Sequence, residues 1–179
     1  MKNFLMLGLL LLMTVIIAQE SKIVDPFDLS ASTSKVNELG LITQPEVDAM
    51  EVKVKELFNA GDYKAALPVL IEYSKKANWL ANLISANLDP YYGASYDEKK
   101  SFSYLKLKPL IPLETLANDY KKKRNIALAM QGECLLKIGD KKGAIPVLLK
   151  ALDLISIDED VWWVRTRNNL LEIIEVKVN

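Results

Sequence analysis

The chain has 179 residues, half of them apolar and 26% charged, which suits one globular domain with a real core rather than a disordered polymer. Lysine plus arginine equals aspartate plus glutamate at 23 each, so no global field draws the chain to nucleic acid or to an anionic surface. Histidine is absent and Cys134 is the single cysteine, which removes the usual general base, the commonest metal ligand and any internal disulfide.

The N-terminal stretch MKNFLMLGLLLLMTVIIA carries one cation, Lys2, and then an apolar run from Phe4 to Ala18. That run falls short of the ~20 residues a bilayer span needs. It matches the apolar core of a secretory signal peptide over residues 1–18, with Ala18 as the small residue before the cut. Ile16 is bulky for a cleavage site, so an uncleaved anchor is the alternative. Cleavage would leave 22 basic and 23 acidic residues and place the chain in the periplasm or outside the cell. Membrane contact is expected only through this segment, if it is retained.

Residues 19–42 hold SASTS, Pro26 and little periodicity, and read as a flexible leader. The domain proper is expected over 43–179. Thr43 or Gln44 caps a first helix, Pro45 fits its first turn, and Val47, Met50, Val54, Leu57 and Phe58 recur at helical spacing. Gly61-Asp62 ends this helix and caps a second, which carries Ala66, Leu67, Leu70, Ile71 and Tyr73. NWLANLISANL reads as a third helix that stops at Asp89-Pro90. Residues 89–112, rich in proline and tyrosine, show no long amphipathic pattern. LETLANDYKKKRNIALAMQGECLLKIG reads either as one long helix or as two in sequence. Gly139-Asp140 repeats the earlier punctuation before KKGAIPVLLKALDLI, and a last helix is expected over about 159–176. The whole amounts to an all-α chain of about seven helices.

GDYKAALPVLI and GDKKGAIPVLL are near copies that begin at Gly61 and Gly139, 78 residues apart. Each carries a proline, Pro68 or Pro146, inside an otherwise helical pattern, at a cost of about 3 kcal/mol if exposed and mid-helix. Helices joined by a Gly-Asp turn must run antiparallel, and Ala66 and Ala144 supply the small residue at their closest approach. A hairpin of this kind cannot bury its whole apolar face alone and stacks on copies of itself.

These residues resemble the tetratricopeptide repeat, a helix–turn–helix unit of about 34 residues. Gly132, Leu135, Gly139, Ala144, Leu148 and Ala151 follow its small and large positions in one copy (about 125–156), and Leu57, Gly61, Tyr63, Ala66, Leu70 and Tyr73 in the other (about 45–76). Val54 stands where the first copy should have a small residue, and Lys141 where the second should have an aromatic. The spacing exceeds two units by about 10 residues, so the middle unit is interrupted. The resemblance implies a short α-solenoid of stacked antiparallel hairpins with a C-terminal capping helix. It also implies a concave groove lined by the first helix of each hairpin, here Asp48, Glu51, Lys55 and Asn59, then Glu133 and Lys137. Their charges are mixed, so the basic clamp that chaperone-binding members use for a C-terminal carboxylate is not expected.

The implied function is a non-catalytic scaffold that binds a protein or peptide in the cell envelope or outside the cell. No cofactor, metal or nucleic acid is expected, since the chain has no phosphate-binding glycine loop and no metal-ligand spacing. Two alternatives stand beside it. One is a small-ligand or glycan-binding protein that uses the tyrosines of 89–112, chiefly Tyr91, Tyr92 and Tyr96. The other is a structural subunit that forms homo-oligomers. Trp162 and Trp163 point about 100° apart on a helix; one is expected to cap the core, and Trp163 is taken as the candidate contact. KKKR at 121–124 spreads around a helix and reads as a solvated or paired face rather than a basic patch. Cys134 is expected to be a buried structural thiol.

Overall fold

The computed structural model describes residues 28–158 and 160–176. The expected signal peptide lies outside the described residues. The chain is all-α, with eight helices among those residues: α1 (Ser30–Leu39), α2 (Gln44–Asn59), α3 (Tyr63–Ala86), α4 (Tyr96–Lys100), α5 (Tyr104–Leu107), α6 (Ile111–Lys137), α7 (Lys141–Leu154) and α8 (Asp160–Ile173). None is long and apolar enough to cross a membrane.

Two departures from the sequence reading concern helix ends. The stretch expected to be an irregular leader is helical from Ser30 to Leu39, where Asp28 Oδ1 accepts from the Ser30 N–H at 2.9 Å. α1 buries no residue, and Glu38 ties it to Lys75 of α3 at 3.3 Å. The expected second and third helices are one. No glycine or proline interrupts Ser74–Asn78, and α3 runs on for 24 residues. The open question over residues 113–138 resolves as a single 27-residue helix, α6, roughly 40 Å long at helical rise. These two long helices pack along each other and form the spine. At their crossing, Gln131 Nε2 donates to the Leu70 carbonyl and to Ser74 Oγ, so a buried amide takes up a carbonyl inside α3.

The twin Gly-Asp turns are built alike. Gly61 (φ +77°) and Gly139 (φ +91°) adopt the left-handed conformation that closes a helix. The Gly61 N–H donates to Phe58 and the Asp62 N–H to Leu57, while Gly139 donates to Leu136 and Asp140 to Leu135. Each aspartate then caps the next helix. Asp62 Oδ1 accepts from Ala65 N–H at 3.1 Å, and Asp140 Oδ1 accepts from Gly143 N–H at 2.9 Å. Both prolines sit inside helices that continue past them. Pro68 and Pro146 lie on exposed positions, as do Lys64 and Lys142 four residues earlier, so water reaches the carbonyl each proline leaves over.

The hairpin α2–α3 packs with α6 around Val47, Val54, Phe58, Leu70, Tyr73 and Tyr120. α7 packs on α6 through Ala144 and Leu148, which meet Leu136. α8 covers both α6 and α7. Ala66, Ala144, Leu70 and Leu148 are all wholly buried, as their matching positions predict. Ile71, expected on the apolar side of its helix, is 43% exposed, because the stripe that faces α2 and α6 is narrower than the apolar run. Residues 87–110 cross one end of the spine as turns and two short helices, with a cis peptide at Asp89-Pro90 and a Ser95–Glu98 capping box at α4.

Candidate functional site

α2, α6 and α8 together enclose a cleft of about 270 Å³. From α2 come Glu51, Val54, Lys55, Phe58 and Asn59, spaced by three and four residues and therefore one stripe of a helix. From α6 come Lys123, Ile126, Ala127 and Met130, again one stripe. α8 adds Trp162 and Arg165 one turn apart, and Tyr73 of α3 contributes between the other helices.

Aromatic and aliphatic groups make the walls. Phe58 and Trp162 lie 6.2 Å apart between ring centres, and Tyr63 meets Phe58 edge-on at 5.6 Å. The Arg165 guanidinium sits 5.2 Å from the ring centres of both Phe58 and Trp162. Its Nε–H and Nη2–H donate to the two oxygens of Glu133, which also accepts from Asn169 Nδ2 at 3.2 Å. This planar fork fixes Arg165 in place. The hydrogen bonds and charge of Glu133 keep its pKa above the ordinary arginine value.

Ion pairs close the other end. Lys123 lies 3.0 Å from Glu51, 3.3 Å from Asp119 and 3.4 Å from Asp48, and the Tyr120 hydroxyl donates to Asp48 at 2.8 Å. Lys55 also pairs with Glu51. Burial by itself would raise the carboxyls of Asp48 and Glu51, but hydrogen bonds from Tyr120, Lys55 and Lys123 outweigh it and hold both below their ordinary values. Burial likewise opposes the charge of Lys123, yet Glu51 and Asp119 raise its pKa. The result is a polar strap between α2 and α6 in which each charge is matched.

One polar group in the cleft is unmatched. Tyr73 is 2% exposed, and its hydroxyl has no hydrogen-bond partner among the described residues. Burial, then the nearby charges of Glu51 and Asp48, push its pKa up. A buried hydroxyl left unsatisfied costs about 1–3 kcal/mol.

The residues singled out from sequence divide into three groups. Lys55 and Asn59 line the cleft, with Glu51 beside them and Asp48 in the strap. Glu133 does not line an open groove as expected: it is 3% exposed, covered by α8 and committed to Arg165. Lys137 is exposed in the last turn of α6, away from the cleft. Both tryptophans pack on the cluster of Ala129, Ala151 and Ile155, and Trp162 also packs on the main core. Trp163 lies under the Arg167 guanidinium, while Trp162 reaches the cleft.

The aromatic segment lies elsewhere and holds itself together. Tyr91 meets Phe102 edge-on at 5.4 Å, and the Tyr92 hydroxyl donates to Glu114 Oε1 at 3.2 Å. Tyr96 is 76% exposed and carries Lys100 4.2 Å above its ring.

Lys123, Ile126, Met130 and Arg165 escaped the sequence reading. A stripe at 123, 126, 127 and 130 was visible as spacing, but the charged run around Lys123 and Arg124 hid its start. That run is indeed divided: Lys123 turns to α2, while Arg124 donates to Asn78 and Asn125. Cys134 is wholly buried, and burial raises its thiol to about 12, which keeps it protonated and unreactive. Among the described residues no group of three or more acidic or cysteine side chains is placed to hold a metal. The chain matches no family model, no curated protein and no solved structure.

Proposed function

We propose that this chain is a non-catalytic binding scaffold of tetratricopeptide-like build, whose cleft-bearing face holds a segment of another protein in the cell envelope or outside the cell. The observation that carries the reading is the cleft itself. Apolar walls from three helices converge beneath a rim of matched charges, the pattern of a recognition site with an apolar anchor and a polar border. The two alike Gly-Asp turns and their near-copied helices support the repeat reading. Export rests on the N-terminal apolar run alone.

The tyrosine segment supports a sugar or small-ligand site less well, because Tyr91 and Tyr92 spend their contacts on Phe102 and Glu114. The test is affinity capture with a C-terminally tagged full chain from its own cells, repeated with Lys55→Glu. Lys55 is exposed and, among the described residues, its ion pair is with Glu51 of the same helix, so its reversal is expected to leave the fold intact. A stoichiometric protein partner whose binding weakens by roughly two- to fivefold in the variant is expected. Recovery of the chain alone, or of partners indifferent to Lys55→Glu and to changes at Phe58, overturns the reading and favours self-association or a small ligand.

A further inference from the structure

The whole chain is neutral, yet its charge is unevenly spread. Residues 99–108 (KKSFSYLKLK) hold four lysines and no acid. Lys100 pairs with Asp97 and Lys99 lies over the Tyr91 ring, but Lys106 and Lys108 are exposed and have no ion-pair partner among the described residues. Large apolar side chains stand out beside them. Tyr104 is 67% exposed and Leu105 82%, on a single helical turn, α5, that packs closely along none of the other helices. Phe102 marks the root of this tip, held edge-on by Tyr91. Over 103–109 every residue but Leu107 is exposed.

The backbone of the tip is closed on itself. The N–H groups of Lys106 and Leu107 donate to the Ser103 carbonyl, that of Lys108 to Tyr104 and that of Leu110 to Leu107, while Pro109 has no N–H to satisfy. Such a turn can enter a region poor in water without stranding those donors. The side chains then choose among occupants. Lysine is depleted from protein interfaces, which argues against a protein as the covering surface. A nucleic acid would match the lysines and stack on a tyrosine, but it offers no apolar layer to a projecting leucine. A bilayer surface with anionic headgroups meets all three needs. It gives apolar depth to Leu105, an interfacial level to the tyrosine ring, and phosphates to lysines whose long stems keep the ammonium in water.

We propose that Tyr104, Leu105, Lys106 and Lys108 form a membrane-surface contact, which dips Leu105 and Tyr104 into the headgroup layer of an anionic bilayer. The contact goes beyond the binding-scaffold reading and does not depend on it, since none of the residues that line the cleft belongs to the tip. Two lysines at roughly fivefold each make it weak and sensitive to salt.

The test places a reporter on the tip of the full chain. Ser103 is exposed and its side chain makes no cap bond, so Ser103→Cys carries an environment-sensitive dye there, while wholly buried Cys134 stays unlabelled. The N-terminal apolar run, where retained, would bring the chain to any vesicle, so the reading is taken at the dye rather than by co-sedimentation. On vesicles of phosphatidylglycerol and phosphatidylcholine in equal parts, the dye should brighten and shift to the blue. Pure phosphatidylcholine should need roughly tenfold more lipid for the same response. Lys106→Gln with Lys108→Gln should raise the lipid needed on the mixed vesicles roughly ten- to thirtyfold, and Leu105→Ser should abolish the shift, both at an unchanged thermal midpoint. No shift on the mixed vesicles, an equal response on pure phosphatidylcholine, or a response indifferent to both variants overturns the proposal. A shift produced by a captured protein partner, with none on vesicles, also overturns it and assigns the tip to that partner.

Discussion

The hairpins α2–α3 and α6–α7 share their turn, caps and buried Ala and Leu positions, yet they treat the helix that follows them differently. Where the second copy has Gly132, the first has Val54, and where the second has Ala151, the first has Tyr73. A Cβ on Gly132 would lie only 2.5 Å from Leu148 Cδ2, so α6 and α7 approach closely enough to forbid a side chain there. Val54 fills the matching place in the first hairpin, in the same core cluster as Leu70. Small Ala151 and Ala129 leave room for Trp162 and Trp163, and α8 closes onto α6. Tyr73 fills the equivalent space instead, and α2 meets α6 chiefly through side chains, with the cleft between them. Hairpins alike in turn and caps, divergent in the size of two side chains, give one sealed junction and one open one.

Position 55 tells the same story in charge. Its counterpart in the second copy is Glu133, buried under α8 with Arg165 as partner. Lys55 keeps a 60% exposed side chain and a partner on its own helix. A buried carboxylate needs a fixed cation, whereas an exposed lysine on a rim needs none.

The equivalence can be tested hardest at the leucines. Leu70→Ala and Leu148→Ala each remove a wholly buried side chain, and each should cost about 3 kcal/mol in urea unfolding. A large difference between them would break the comparison of the two copies. Gly132→Val, which writes the first copy's residue into the second, should cost about 2 kcal/mol through overpacking against Leu148. A neutral result would mean that α6 and α7 can shift apart to admit the side chain. Asp62→Ala and Asp140→Ala should each lose about 1 kcal/mol in thermal or urea melts, equally, since each removes one cap bond.

The smallest effect is in pH. Asp48 and Glu51 titrate lower folded than unfolded, so their stabilisation is present above ordinary carboxyl values near pH 4 and fades as acid protonates them in the folded state. Lys123 is shifted upward, so its share is complete below the ordinary lysine value near pH 10 and is lost only in stronger base. Stability should therefore fall on acidification from about pH 5 to about pH 3, and less so in Lys123→Met, as read by urea midpoints at each pH.

Much of this was legible in the residues. Punctuation is local: a glycine free to take positive φ, followed by an aspartate whose carboxylate reaches the next N–H groups, makes the same turn wherever it is written. The alternation of Ala66 and Leu70, and of Ala144 and Leu148, likewise marks the buried stripe, because spacing along a helix sets which residues share a face. Lys55 and Asn59 were placed on the first helix's open face by the resemblance to the repeat, not by spacing alone. By itself, then, the sequence determined an all-α chain, two matched hairpins and the inner stripe of each.

The tertiary structure decided what that local grammar leaves free. Whether Ser74–Asn78 breaks a helix or continues it depended on α6 packing alongside, with Gln131 meeting the Leu70 carbonyl. Whether Glu133 faced solvent depended on α8, thirty residues further on, which brings Arg165 to it. Both Trp162 and Trp163 met the small Ala129 and Ala151 surface, and only the placing of α8 against α2 brought Trp162 to the cleft as well. Above all, the cleft exists because α2, α6 and α8 meet around a tyrosine whose ring packs and whose hydroxyl does not pair. Periodicity is a property of one helix, but a cavity belongs to the space between several, and that space is set by packing across the whole chain.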